Sequence, residues 1–103
     1  MNDWKPAAPI ASVPAGAVAV CEIDGRRVAL CNVEGEIYCI DDVCTHDGAS
    51  FNQAELDGDE IECPRHGARF DVRTGRALCL PAFRPVATHK TRVQDGTVEV
   101  QLG

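Results

Sequence analysis

Two short segments of this chain each combine one cysteine with one histidine, and they constrain the fold more than any other feature. The segments read Cys44-Thr45-His46 and Cys63-Pro64-Arg65-His66, with residues 47–62 between them. Thiolates and imidazoles bind zinc and iron well, but the ligands of one centre must converge in space. Gly48 and Gly67 lie just after the two histidines and permit the tight turns that convergence requires. The pattern therefore predicts a metal site built from two loops.

Two kinds of centre can use a set of two cysteines and two histidines. Structural zinc binds such a set tetrahedrally, usually as a cysteine pair followed by a histidine pair. Here each segment mixes the two residue types, which suits a binuclear iron–sulfur centre with one cysteine pair and one histidine pair. The spacing leaves open a zinc site, an iron–sulfur site, and a vestigial site that has lost its metal.

The two segments resemble the motif of Rieske [2Fe–2S] proteins. The resemblance implies that Cys44 and Cys63 hold one iron of a single cluster, and that His46 and His66 hold the other. It also implies an all-β, Rieske-like fold of small antiparallel sheets, with the cluster between two hairpin-like loops at about 43–50 and 62–70. The segment Pro81-Ala82 resembles the proline-containing loop that covers the cluster in this family.

Composition sets limits on the class of protein. The 103 residues suit one domain, and 45% of them are hydrophobic, as in an ordinary globular protein. The net charge of −6 argues against nucleic-acid binding, which needs an excess of lysine and arginine. The sequence contains no uninterrupted apolar run of about 18 residues and no basic, signal-like start, so we expect a cytoplasmic protein.

Four cysteines remain outside the two segments. They are Cys21, Cys31, Cys39 and Cys79. They occur singly, mostly among aliphatic residues, and none forms a Cys-x-x-Cys pair. We expect small buried hydrophobic residues, with a redox-active pair as the less favoured alternative.

Short apolar runs alternate with turn residues along the chain, as in all-β domains. Strands are predicted at 3–7, 18–23, 26–32, 36–40, 60–63, 68–72, 76–79, 88–93 and 97–102. The first is expected at a sheet edge, because proline cannot donate to a central ladder. Residues 50–59 are predicted to be mostly loop, with one helical turn near Ala54. Asp24-Gly25 and Asp95-Gly96 are typical of hairpin turns.

Several functions are excluded by what the sequence lacks. A mononuclear oxygenase iron needs two histidines and a carboxylate, and only His89 remains after His46 and His66. No Gly-x-Gly-x-x-Gly segment marks a dinucleotide site, and no Cys-x-x-Cys-His attaches haem. The sequence thus predicts a one-electron carrier without catalytic residues. His89 is expected to face solvent or make a polar contact.

The resemblance is strongest to the small Rieske ferredoxins of multicomponent aromatic-ring dioxygenases. It implies that a flavin-dependent ferredoxin reductase donates the electron, that a terminal oxygenase accepts it, and that the carrier is a monomer. Two other classes remain as alternatives, namely the small Rieske-like subunit of a nitrite reductase and a structural zinc-binding module. Iron, acid-labile sulfide and colour distinguish the zinc module from the other two.

The residues around the motif predict a low reduction potential. High-potential relatives join the two loops by a disulfide, and the matching positions here are Ala49 and Arg65. Those relatives also direct serine and tyrosine hydroxyls at the cluster, where this chain has Ala68 and Phe70. Fewer hydrogen bonds to sulfur leave the reduced state less stabilised, so we expect a potential of about −150 mV, at the low end of the Rieske range.

Charged residues crowd the region of the motif. The basic set is Arg65, Arg69, Arg73, Arg76 and Arg84, and the acidic set is Asp41, Asp42, Asp47, Glu55, Asp57, Asp59 and Glu60. Both sets are expected to be solvated surface, although either could steer an electron-transfer partner. Trp4 is expected to pack at a sheet edge.

Overall fold

The computed structural model describes residues 3–45, 48–64, 67–80 and 84–103. Ten strands in this part of the chain form two antiparallel sheets, which confirms the all-β prediction. None of the described residues forms a helix that could cross a membrane.

The larger sheet has six strands in the order β1-β10-β9-β4-β3-β2. Its strands are β1 (Lys5–Pro9), β2 (Val18–Ile23), β3 (Arg26–Val33), β4 (Glu36–Asp41), β9 (Thr88–Gln94) and β10 (Thr97–Gln101). The proline-bearing β1 lies at an edge, as expected. The other edge strand, β2, also contacts β1, so the sheet curves strongly.

The smaller sheet has four short strands in sequence order. They are β5 (Glu55–Asp57), β6 (Glu60–Glu62), β7 (Arg69–Asp71) and β8 (Ala77–Cys79). The β6–β7 connection contains the second Cys/His segment, whereas the first segment follows β4 of the larger sheet. The two halves of the predicted site thus come from different sheets.

The hairpin turns follow the predicted chemistry. Asp24 and Gly25 have φ angles of 51° and 82°, and Asp95 and Gly96 have φ angles of 52° and 76°. A two-residue turn with positive φ at both positions matches the right-handed twist of the strands that it joins. Asp-Gly suits it because aspartate tolerates this region and glycine has no Cβ.

Two hydrophobic cores lie on opposite sides of β3, which is buried on both faces. Val28 and Leu30 pack into one core with Val98 and other residues of the larger sheet. Ala29 and Cys31 pack into a second core with residues that include Ile40, Phe51, Ile61, Phe70, Cys44 and Cys63. The second core joins the two sheets and contains the cysteines of both Cys/His segments. Within it, the rings of Phe51 and Phe70 meet edge to face at 5.7 Å.

Two short elements of secondary structure were not predicted. Residues 55–57 form β5 where a loop with a helical turn near Ala54 was expected, because this charged segment pairs with β6 across a turn at Gly58. A short 3-10 turn at Ile10–Ser12 was not predicted.

The prediction for the four remaining cysteines holds for two of them. Cys31 and Cys39 are buried, and burial raises the pKa of both thiols, to about 12 for Cys31. Cys21 is only half-buried, and Cys79 is exposed because it ends the edge strand β8 of the smaller sheet.

Candidate metal centre

The two cysteine loops have the same backbone hydrogen bonds. Cys44 N–H donates to the Ala49 carbonyl at 2.7 Å, and Gly48 N–H donates to the Cys44 carbonyl at 2.7 Å. In the second loop the matching bonds join Cys63 to Ala68 at 2.7 Å and Gly67 to Cys63 at 3.0 Å. Gly48 and Gly67 have φ angles of +78° and +74°, which other residues rarely adopt. Each cysteine therefore begins a loop whose two ends are joined by the same pair of backbone hydrogen bonds.

Both thiols of the predicted site point into the same core. Cys44 and Cys63 are fully buried and belong to the core that joins the two sheets. His46 and His66 lie outside the described residues, as does Pro81-Ala82 of the expected covering loop. Within the described ranges no group of three or more potential metal ligands occurs. Of the four predicted ligands, the two cysteines lie within these ranges. A cysteine pair from two matching loops fits the thiolate side of a [2Fe–2S] centre.

Asp42 is a structural residue that the sequence reasoning placed on a solvated face. Its side chain is fully buried and pairs with Arg27 at 2.9 Å. It accepts hydrogen bonds from the Ser50 hydroxyl at 2.7 Å and from Phe51 N–H at 2.7 Å. Because Asp42 precedes the first loop, Ser50 ends it and Phe51 follows it, the carboxylate joins both ends of that loop. The position of Asp42, two residues before Cys44, is the sequence feature that could have indicated this structural role.

Thr45 attaches the first loop to a third segment. Its hydroxyl donates to the Arg84 carbonyl at 2.7 Å. Val86, two residues further, donates its N–H to the Gly75 carbonyl of the smaller sheet at 2.8 Å. Residues 84–86 therefore connect the first loop to the sheet that carries the second. The sequence reasoning gave Thr45 no role.

Most described charged residues of the smaller sheet form surface ion pairs, as the solvated-surface prediction expects, whereas Asp47 and Arg65 lie outside the described residues. Arg69 pairs with carboxylates of the smaller sheet, namely Asp57, Glu60 and Glu62. Arg73 pairs with Asp59 and Asp71. The thiol of Cys79 donates to the Gly67 carbonyl at 3.6 Å.

His89 makes the polar contacts that were one of the two expectations, but it is buried and does not face solvent. Its Nε2 lies 2.7 Å from Asp41 Oδ1, and its Nδ1 accepts from Gly103 N–H at 3.0 Å. Arg26 binds the same Asp41 carboxylate through two nitrogens at 3.0 Å. Burial raises the pKa of Asp41, but hydrogen bonds from Arg26 and His89 outweigh burial, and the net pKa is lowered. Asp41 is therefore another member of the acidic set that is structural.

Trp4 contacts Arg92 at the edge of the larger sheet. The Arg92 guanidinium carbon lies 4.5 Å from the centre of the indole ring, a cation–π contact. This agrees with the expected packing role.

Comparison with known proteins favours one of the kinds of centre that the spacing left open. The family profile of the Rieske [2Fe-2S] domain matches residues 3–90. The chain belongs to the Rieske [2Fe–2S] family. This Rieske chain is 40% identical over 101 residues to the ferredoxin component of the naphthalene 1,2-dioxygenase/salicylate 5-hydroxylase systems of Ralstonia sp., which covers 98% of this chain and 97% of the relative.

Solved structures agree with this Rieske assignment. The ferredoxin of Sphingomonas yanoikuyae B1 matches with a TM-score of 0.91 at 32% identity, over 98% of this chain and 100% of that one. A chain in the complex of reduced oxygenase and oxidized ferredoxin of carbazole 1,9a-dioxygenase matches with a TM-score of 0.89 at 31% identity, over 98% and 94% of the two chains. The likeness thus extends over the whole of a small ferredoxin.

Proposed function

We propose that this Rieske protein is the one-electron carrier of a multicomponent aromatic-ring dioxygenase system. It takes electrons from a flavin-dependent NAD(P)H ferredoxin reductase and passes them to a terminal oxygenase. Support comes from a near full-length match in both directions with ferredoxin components of such systems. A ferredoxin of this kind is also found in a complex with its oxygenase. The carrier itself performs no catalysis, and it acts as a cytoplasmic monomer beside its NAD(P)H-dependent donor.

The electron is held on one [2Fe–2S] cluster, with Cys44 and Cys63 on one iron and His46 and His66 on the other. Such a cluster supplies a reversible one-electron couple. The observation that carries the proposal is the pair of matching turns, each of which begins at a fully buried cysteine of the same core. The whole chain, 1–103, is one Rieske domain, with cluster-binding loops at about 43–50 and 62–70.

The side chains beneath the loops favour a low reduction potential. Ala68 and Phe70 are fully buried and carry no hydroxyl that could donate to a sulfur. Phe70 instead packs its ring against Phe51. We therefore expect a potential of about −150 mV, at the low end of the Rieske range. A clearly positive value in a redox titration would contradict this part of the proposal.

The test is cluster analysis followed by reconstitution. Iron and acid-labile sulfide are measured on the purified protein, and EPR is recorded after reduction with dithionite. The loaded protein is then added to a reductase and a terminal oxygenase, and electron delivery is followed as oxygenase reduction. Cys63→Ser should remove the EPR signal, whereas Cys21→Ser, which changes a half-buried cysteine outside the loops, should retain it.

Two results would overturn the proposal. A colourless protein that binds zinc without sulfide would make the chain a structural zinc module. A normal cluster that the reductase reduces, but that no terminal oxygenase oxidises, would favour another Rieske role, such as the small subunit of a nitrite reductase.

A further inference from the structure

Asp42 carries a buried carboxylate whose partners suit its charged form, in addition to anchoring the first loop. Its fully buried carboxylate accepts hydrogen bonds from the Ser50 hydroxyl and the Phe51 N–H, and it forms an ion pair with the Arg27 guanidinium. An ionised carboxylate only accepts hydrogen bonds, so two converging donors and a neighbouring cation match that form. The Ser50 oxygen in turn accepts from Asn52 N–H at 3.0 Å, so its single proton is free to point at Asp42.

These bonds place a charged group beside the first cysteine. Asp42 lies two residues before Cys44, and its own N–H donates to the Arg27 carbonyl at 3.0 Å, which fixes the backbone at the start of the loop. Arg27 is the cation that pairs with it, but 58% of the Arg27 side chain is exposed, against none of the Asp42 side chain. Solvent screens an exposed charge more than a buried one, so the carboxylate acts on the loop more strongly than its partner does.

We propose that Asp42 is the positioning residue of the first ligand loop, and that its carboxylate lowers the reduction potential of the centre that Cys44 helps to bind. The inference rests on the proposed function, because it requires the cluster. Reduction adds one electron to the centre, and a nearby negative charge opposes that addition. A unit charge at a separation on the order of 10 Å, in protein with an effective dielectric constant of about 20, changes an equilibrium constant roughly tenfold.

The experiment measures the potential of the holoprotein in three variants. Asp42→Asn keeps the shape of the side chain but removes its charge. We expect the equilibrium constant for reduction to rise about tenfold, which is about 59 mV for one electron. Asp41→Asn is the matched control, because it removes the neighbouring carboxylate, whose partners Arg26 and His89 lie outside the first loop. Its effect on the potential should be clearly smaller.

Ser50→Ala separates the charge effect from loosening of the loop. It removes a donor that partly neutralises the carboxylate, so the equilibrium constant for reduction should fall, by about twofold. Looser loop packing alone would shift Asp42→Asn and Ser50→Ala in the same direction, whereas the charge mechanism shifts them in opposite directions. Both variants should also lose visible absorbance to an iron chelator faster than the wild type and faster than Asp41→Asn.

Each outcome decides the matter. Opposite shifts in potential, together with faster cluster loss, support the inference. A shift in Asp42→Asn no larger than that in Asp41→Asn, or shifts of one sign in Asp42→Asn and Ser50→Ala, would overturn it. If Asp42→Asn does not fold, the Ser50→Ala variant decides. A fall in its equilibrium constant for reduction supports the inference, and a rise overturns it. Absence of a cluster from the wild type would instead refute the proposed function.

Discussion

The two cysteine loops share one backbone geometry but are attached to the protein in different ways. The first loop is held by buried groups, because the fully buried Asp42 carboxylate binds Phe51 N–H beyond its far end. The second loop joins two strands of three residues each, and the side chain that crosses those strands, Arg69, pairs with exposed carboxylates. The local turn and the long-range attachment are therefore separate properties.

The difference has an energetic meaning. A buried acceptor whose removal leaves a donor unpaired contributes far more than an exposed ion pair, which solvent and salt screen. We expect the first loop to depend on a few irreplaceable contacts and the second to depend on many weak ones. The two cysteines, by contrast, should matter equally, because each is proposed to supply one thiolate to the same iron.

The largest expected effect tests that equality. Cys44→Ser and Cys63→Ser should each abolish the [2Fe–2S] cluster, because hydroxyl oxygen is a much poorer ligand for this iron than thiolate sulfur. Iron and sulfide content and the visible spectrum measure the loss, with Cys21→Ser as the control. A native spectrum in either loop variant would show that the cysteine pair is assigned wrongly.

The next effect contrasts the two attachments. Asp42→Ala should lower the free energy of unfolding by about 3 kcal/mol, because Phe51 N–H loses its partner and Arg27 loses its counter-charge. Arg69→Ala should change it little, because Arg69 pairs with exposed carboxylates. Denaturant unfolding of the holoprotein, followed by circular dichroism, compares the two. Equal losses of unfolding free energy in the two variants would show that burial of the attaching residue does not distinguish the loops.

The sequence predicted those features of the two loops and of the hairpins that depend on local backbone conformation. The Cys/His spacing and the adjacent glycines indicated two turns, and Asp-Gly pairs indicated hairpins, because these features depend on the φ angles of one or two residues. The sequence did not predict the long-range contacts that attach the loops to the sheets. Asp42 and Asp59 look alike in sequence, yet the partners of Asp42 come from β3 and from beyond the loop. Burial of a charge depends on which strands surround it, and that is known only after the sheets form.

The short strand β5 was missed for a related reason. Glu55, Leu56 and Asp57 have weak strand propensity, and pairing with β6 overrides it. The cross-strand cation Arg69 then offsets the repulsion between neighbouring carboxylates. The exposure of Cys79 depends in the same way on β8 being an edge strand, which composition does not reveal.

Alanine substitutions at the loop glycines, Gly48 and Gly67, should destabilise the protein by a smaller amount that is equal in the two loops. A Cβ added at Gly48 or Gly67 would meet no described atom within 4 Å, so alanine at either position costs only the strain of its positive φ. We expect each substitution to lower the free energy of unfolding by about 1 kcal/mol. Gly75→Ala is the contrasting variant, because its Cβ would collide with the Val86 carbonyl oxygen and force the backbone to move.

Denaturation curves of the three glycine variants check this point. Similar small losses at Gly48 and Gly67, with a larger loss at Gly75, are the expected result. A clearly larger loss at one loop glycine than at the other would mean that the two turns are not equivalent, despite their matching hydrogen bonds.

The smallest expected effect concerns acid, and it compares one carboxylate in each sheet. Asp41 has a lowered pKa, and so does Asp71, where hydrogen bonds from the Arg73 side chain and backbone outweigh the effect of burial. A lowered pKa means that the folded state binds fewer protons than the unfolded state. The stabilisation is therefore present above the ordinary carboxyl pKa of 3.8 and is lost as the pH falls below it.

Asp41→Asn and Asp71→Asn should thus be less stable than the wild type at neutral pH, and the difference should narrow below pH 3.8. The narrowing should be greater for Asp41, because one of its partners, His89, is fully buried, whereas the Arg73 side chain is 52% exposed. Thermal midpoints measured across this pH range provide the comparison. A stability difference that stays constant with pH in both variants would mean that packing, and not charge, is what each aspartate contributes.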